Sequence, residues 1–105
     1  MIVNHRTYTI TPRKMKPYLA LVESLAVPIM LKHGFELLGY YTAMHGQLNQ
    51  VIHIWKYDSM GDLEAKRASR DADPDWAIYL SKTEGMVQHQ EDRIMAPASF
   101  SPGAK

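Results

Sequence analysis

The segment QVIHIWKY, residues 50–57, predicts a β-strand because it is rich in β-branched and aromatic residues. Successive side chains of a strand point to opposite faces of the sheet. One face of this strand therefore carries Asn49, Val51, His53, Trp55 and Tyr57, and the other carries Gln50, Ile52, Ile54 and Lys56. The first face carries the polar and aromatic side chains that can bind a ligand or transfer a proton. The second face carries two isoleucines, which favour burial against another element or another chain.

The flanking sequence predicts three more strands and three helical segments. Thr11-Pro12 favours a helix start and Gly34 its end, with a kink near Ser24 because Pro28 lacks an amide donor. Asp73-Pro74 restarts a helix by the same logic. The predicted elements are a strand over 2–10, a helix over 11–33, strands over 36–44 and 50–57 joined by a turn at 45–49, a helix opened by Ser59 and reaching 72, a helix from 73 to Gly85, and a strand over 86–95.

This order predicts an α+β fold of the ferredoxin-like βαββαβ type. Right-handed crossovers give a four-stranded antiparallel sheet with spatial order 4-1-3-2 and the helices on one face. The other face would meet water although the strands carry large apolar residues at both parities. A second copy of the chain is the economical cover, because a two-fold contact uses one surface twice. The sequence therefore predicts a homodimer that pairs through the sheet face.

Composition limits the class of protein. The 105 residues suffice for a single domain, which we expect over 1–95, followed by a mobile tail over 96–105. Twelve basic and 11 acidic residues give a net charge of +1, which argues against nucleic-acid binding. There is no cysteine, no N-terminal apolar segment and no phosphate-binding glycine loop, so we expect a cytoplasmic protein without membrane, thiolate or nucleotide chemistry.

Several of these stretches resemble the NIPSNAP family, whose members have the dimeric α+β barrel fold. The resemblance covers the chain from about 3 to 95 and is carried most specifically by GQLNQVIHIWKYD at 46–58. The shorter matches are RTYT at 6–9, GYY at 39–41 and DPDW at 73–76 together with Tyr79. The resemblance implies pairing through the sheets and no assigned molecular activity. Related barrels include cofactor-free monooxygenases, isomerases and haem-binding proteins, so the fold alone does not select a function.

The candidate site lies where the first and third strands meet. If the strand registers place Arg6 and Tyr8 on the face of His53 and Trp55, the cluster suits an anionic or phenolic organic molecule. Arg6 would orient it, Trp55 would pack on it, and His53 would move a proton near neutral pH as the candidate catalytic residue. The remaining candidate ligand-binding residues are Asn49, on the same strand face, and Trp76 and Tyr79, on the helix that covers it.

Other interpretations of the same residues remain open. Tyr, Trp and His on strands also serve as packing or interface residues whose polar ends find partners. His5, His53 and His89 form an alternative metal site, but strand parity lets His53 join only one of the two groups, and no metal is predicted. The charged segment 62–70 is expected to be a solvated helix face.

The leading hypothesis is therefore a NIPSNAP-like homodimer that binds a small organic ligand between sheet and helices. The alternatives are a cofactor-independent monooxygenase or isomerase with His53 as base, haem binding through a histidine, and a protein-interaction role without a pocket. No cofactor is predicted, with haem as the exception to be tested.

Overall fold

The computed structural model describes residues 1–103, in which strands and helices follow the predicted order. The strands are β1 (Ile2–Ile10), β2 (Glu36–Thr42), β3 (Gln50–Tyr57) and β4 (Val87–Met95). The helices are α1 (Met15–Leu21), α2 (Val27–Lys32), α3 (Met60–Asp71) and α4 (Pro74–Lys82), and a π-helical turn (Val22–Ala26) joins α1 to α2.

The four strands form one antiparallel sheet in the order β2-β3-β1-β4. This is the predicted 4-1-3-2 order, so the α+β ferredoxin-like fold is confirmed. Strands β1 and β3 lie in the centre, where each has a partner on both sides. The backbone of each central strand is therefore hydrogen-bonded along both edges, which fixes the positions of its side chains.

Burial distinguishes the two faces of the sheet. Along β3, buried residues alternate with half-buried ones, and the buried set is Val51, His53, Trp55 and Tyr57. The helices cover this face, and Ile10, Tyr18, Val22 and Val51 belong to the larger of its two buried clusters. The opposite face, which includes Ile52 and Ile54, is half-exposed in the single chain.

The first helix departs from the prediction at its start and agrees with it in the middle. It begins at Met15 instead of after Thr11, so Pro17 lies in the first turn, where an amide donor is not needed. The irregularity expected near Ser24 is present as the π-helical turn. Pro28 explains it, since a proline has no N–H to donate to the carbonyl of Ser24, four residues earlier.

The predicted helix starts at Ser59 and Asp73 are confirmed. The Ser59 hydroxyl accepts from the Asp62 amide at 3.1 Å, and the Asp62 carboxylate accepts from the Asp58 amide at 2.9 Å. Asp73 caps α4 by accepting from the Asp75 amide at 2.9 Å. The same Asp73 carboxylate receives His33 Nε2 at 2.7 Å, which ties the end of α2 to the start of α4.

The turn between β2 and β3 is longer than predicted. β2 ends at Thr42 instead of Met44, and Asn49 belongs to the turn, with a φ of 61°. Its carbonyl accepts from the Ile10 amide at 2.7 Å, which anchors the turn to the end of β1. After β4, residues 96–103 contain no helix or strand, and the part of the predicted tail at 104–105 lies outside the described residues.

Candidate functional site

A cavity of about 420 Å³ lies between the helix-covered face of the sheet and the helices. This volume is within the range of roughly 300–1,000 Å³ that is common for small-molecule sites. Of the seven residues predicted from the sequence, six line it: Arg6, Tyr8, His53, Trp55, Trp76 and Tyr79. Trp55 and Trp76 are the only tryptophans of the chain, so both lie in the cavity wall.

The β1–β3 register brings the polar candidates together. Arg6 pairs with His53 in the ladder, and Tyr8 pairs with Val51 two residues further on. Paired residues of antiparallel strands share a face, so the guanidinium and the imidazole both point to the helices. Both residues therefore lie on the two central strands of the sheet and not on a loop.

His53 is enclosed by aromatic rings. Tyr40 stacks on it with ring centroids 4.7 Å apart, and Tyr8 meets it edge-on at the same distance. Its Nδ1 accepts a hydrogen bond from the indole Nε1 of Trp55 at 2.7 Å, whereas its Nε2 is buried and has no partner among the described residues. Burial and the neighbouring Arg6 lower the pKa of His53 to about 3. The imidazole is therefore neutral at physiological pH but only weakly basic, and this low basicity argues against the predicted role of base near neutral pH.

Five tyrosines line the cavity, and three of them, Tyr18, Tyr40 and Tyr79, form one group of phenols beside His53. The Tyr40 hydroxyl donates to the Tyr18 hydroxyl at 3.4 Å, and Tyr79 belongs to the same group. Burial raises the pKa of all three phenols well above the usual value for tyrosine. Each hydroxyl therefore stays protonated. The proton of Tyr40 is used in its bond to Tyr18, which leaves the hydroxyls of Tyr18 and Tyr79 as the donors for a ligand. Tyr18 and Tyr40 were not among the predicted site residues.

Arg70 corrects the prediction that segment 62–70 is a solvated face. Its guanidinium carbon lies 4.4 Å from the ring centroid of Trp76 and 5.4 Å from that of Phe35. The residue lines the cavity, and its Nε bonds the exposed Asp71 at 3.1 Å. Sequence spacing did not separate this inward arginine from the exposed charges of α3. Asp62 and Lys66, one turn apart on the same helix, form an ion pair at 3.0 Å.

A buried polar group joins β1, β4 and α3 next to the cavity. The fully buried Asn4 donates to the carboxylate of Asp92 and, at 3.1 Å, to the carbonyl of Arg93. Its oxygen accepts from Arg67 at 3.2 Å, and Arg67 also reaches Asp92 at 3.4 Å. Asp92 is thus engaged by Asn4 and Arg67. Among residues 1–103, no carboxylate lies within 4.0 Å of the Arg6 side chain.

Asn49 and the other histidines lie elsewhere. Asn49 is in the turn before β3 and does not line the cavity, because the strand begins one residue later than the parity argument assumed. His5 pairs with Ile54 and His89 with Thr9, on the sheet face opposite to His53. In the described part of the chain, no group of three His, Cys, Asp or Glu residues could hold a metal ion.

Comparison with known protein families assigns nearly the whole chain to a single domain. The NIPSNAP family model matches residues 3–102. The chain belongs to the NIPSNAP family. Among curated relatives, it is 35% identical over 91 residues to NipSnap homolog 3B of Mus musculus and 32% identical over 91 residues to homolog 3A of Homo sapiens. In both comparisons the match covers 85% of this chain and 36% of the relative, so this NIPSNAP domain spans about a third of those proteins.

Solved structures extend the likeness to the whole domain. A NIPSNAP family protein of unknown function from Agrobacterium tumefaciens has a TM-score of 0.92 at 36% identity, covering 97% of this chain and 92% of that one. A NIPSNAP domain protein from Burkholderia xenovorans has a TM-score of 0.91 at 32% identity, covering 97% and 99%. A putative antibiotic biosynthesis monooxygenase from Nitrosomonas europaea shares the fold alone, with a TM-score of 0.68 at 7% identity over 92% and 98%.

No helix of residues 1–103 is long and apolar enough to cross a membrane. The predicted cytoplasmic location stays a prediction.

Proposed function

We propose that this NIPSNAP domain binds a small organic ligand in the cavity between its sheet and its helices. The observation that carries the proposal is the combination of an aromatic wall with two buried donors, Arg6 Nε and His53 Nε2, that have no partner among the described residues. A buried donor without a partner costs about 1–3 kcal/mol. A ligand whose oxygen atoms meet these donors removes that cost.

The two tryptophans supply the experiment. Because Trp55 and Trp76 both lie in the cavity wall, occupancy changes the intrinsic fluorescence of the protein. We expect at least one member of a panel of neutral, acidic and basic two-ring aromatic compounds to quench this fluorescence saturably and to raise the Tm.

A matched pair of variants locates the binding. Ala77 is exposed on α4 and lines the cavity, whereas Ala65 is exposed on α3 and does not. Ala77→Phe should abolish the response and Ala65→Phe should keep it. A panel without any saturable response, or an equal response in both variants, would contradict a ligand site in this cavity.

We further propose that the domain acts as a homodimer through the bare sheet face. Support comes from Ile52 and Ile54, which are half-exposed in the centre of that face, and from Tyr41, which is 56% exposed beside them. Wild-type protein should sediment as a dimer at micromolar concentration, and Ile54→Lys should sediment as a folded monomer. Ile78→Lys, on the exposed side of α4, is the control that should stay dimeric. A folded wild-type monomer would overturn the proposal.

A cofactor-independent monooxygenase or isomerase remains the alternative function. The monooxygenases among the structural neighbours share the fold alone, and Nδ1 of His53 accepts from Trp55, so such chemistry needs another base. Oxygen uptake with quinol substrates tests it.

Haem fits these residues poorly. Within residues 1–103, His53 is the only histidine in the cavity wall, and the nitrogen of its ring that has a lone pair is already engaged by Trp55. A Soret band on titration with haem would contradict this assessment.

A further inference from the structure

The hydrogen bond from Trp55 determines which nitrogen of His53 carries the proton. An indole N–H can only donate, so His53 Nδ1 must offer a lone pair to it at 2.7 Å. A neutral imidazole has one N–H, which is then on Nε2. His53 therefore presents a permanent hydrogen-bond donor in the cavity wall, with the residue only 6% exposed.

Arg6 adds a cation without a counter-charge next to this donor. Its partner in the β1–β4 ladder is Asp92, but that carboxylate is engaged by Asn4 and Arg67. The Arg6 Nε is buried without a partner, while the guanidinium lies 5.3 Å from the ring centroid of Tyr8. The cation is thus held in place by packing and not by an ion pair.

Among residues 1–103, the cavity wall contains no carboxylate that lacks a basic partner. The one acidic residue that lines it, Asp71, is paired with Arg70 and has a side chain that is 59% exposed to solvent. The phenols of Tyr18, Tyr40 and Tyr79 stay protonated. Their hydroxyl oxygens can also accept, but the charged groups that line the wall without a counter-charge are positive, so a ligand with acceptors and negative charge is the complementary one.

Resting on the proposed ligand-binding function, we propose that the ligand is a planar aromatic acid, with its carboxylate bound by Arg6 and by the Nε2–H of His53. A carboxylate presents two oxygens in the plane that a guanidinium fork recognises. The aromatic body of the ligand packs on the wall that contains Trp76 and Tyr79, whose own ring centroids lie 4.9 Å apart.

The experiment compares three probes of one shape: 2-naphthoate, the neutral 2-naphthamide and the cationic 2-naphthylmethylamine. Titration of wild-type tryptophan fluorescence at pH 7 should show naphthoate binding on the order of tenfold more tightly than naphthamide, since a charge-assisted pair is replaced by a neutral one. The amine should bind most weakly, because it meets Arg6 with a like charge.

Four variants assign the selectivity to the two residues. Arg6→Gln should bring naphthoate down to the affinity of naphthamide, whereas Arg13→Gln, an exposed arginine outside the cavity, should leave the preference unchanged. His53→Phe should weaken naphthoate, and His53→Gln should retain more affinity because its amide N–H can reach the position of Nε2.

The outcomes separate this proposal from the one it rests on. Equal affinity for acid and amide, or a preference for the amide or the amine, overturns the acid specificity while ligand binding in the cavity stands. The absence of saturable binding by all three probes overturns the acid proposal, and the wider panel then decides whether the cavity binds any ligand. A preference for naphthoate that survives Arg6→Gln also overturns it.

Discussion

Arg6 and His53 are directly paired across the two central strands, and both face the helices. The pairing places a guanidinium beside an imidazole whose other neighbours are aromatic rings. Because each of these strands has a ladder on both sides, the relative position of the two groups is set by the sheet. Groups held on rigid elements keep their geometry better than groups on loops. The candidate site is therefore preorganised before any ligand arrives.

The stability of the domain should fall on acidification because of His53. Burial and Arg6 lower its pKa to about 3 in the folded chain, from 6.5 in the unfolded one. Between these values the unfolded chain binds the extra proton, so stability rises with pH by up to about 1.4 kcal/mol per pH unit. Urea denaturation at about pH 6.5 and 4.5 should show a steeper loss for wild type than for His53→Gln. His89→Gln, at an exposed position, should retain the wild-type slope, and parallel curves for wild type and His53→Gln would refute the assignment.

Trp55→Phe should change the protonation pattern of the imidazole. Without the indole donor, Nδ1 loses the interaction that keeps it unprotonated, so both neutral tautomers become populated. Nitrogen-15 NMR of the histidine ring should show a single Nε2–H form in wild type and a mixture in the variant. The lost hydrogen bond and the void left by the buried indole should together lower the unfolding free energy by about 2–3 kcal/mol. Trp76→Phe is the matched control, because Trp76 does not bond His53. An unchanged tautomer in Trp55→Phe would contradict the prediction.

Asn4→Ala should be strongly destabilising. Asn4 is fully buried and connects Asp92, the Arg93 carbonyl and Arg67. Its loss leaves these groups without a partner and opens a small void, for an expected cost of about 2–4 kcal/mol. Chemical denaturation measures this cost. Asn49→Gly should stay within about 0.5 kcal/mol, because glycine adopts the positive φ of that turn readily. Similar stabilities of Asn4→Ala and Asn49→Gly would contradict a structural role for Asn4.

Asp73 has two roles that a pair of variants can separate. Its carboxylate caps α4 and also accepts from His33 and Lys32, and these hydrogen bonds hold its pKa well below the usual range. Asp73→Asn keeps a capping oxygen and loses the charge, so it should lower the Tm less than Asp73→Ala. The part of the stability that depends on the charge is present above about pH 4 and is lost as the pH falls below that value. Equal loss in the two variants at pH 7 would exclude a contribution from the cap, and Asp75→Asn is the exposed control.

Much of the fold follows from local patterns in the sequence. The period of two along β3 predicts that His53 and Trp55 share a face, and Ser59 and Asp73 mark helix starts through their own side chains. These features depend on neighbours a few residues away, so they can be derived without the tertiary structure. The helix start at Met15 was missed because Thr11-Pro12 has the same local signature as a helix cap. Asn49, the last residue of the predicted turn, was added to the strand face by extending the alternation one residue too far, and its positive φ shows that it does not continue the strand.

The sequence by itself determined the element order, the sheet topology and the chemical character of each strand face, since all three depend on local periodicity and on connection rules. Only the tertiary structure decided that the strand register brings the predicted groups together, which further groups join them in the cavity, and in what protonation state. Three further residues reach the cavity from elements that are distant along the chain: Tyr18 from α1, Tyr40 from the outer strand β2 and Arg70 from α3. No spacing pattern in the sequence predicts that they meet. The donor role of His53 likewise depends on the rotamers that bring the Trp55 indole to Nδ1 and on the burial that excludes water, and both arise only when the helices pack on the sheet.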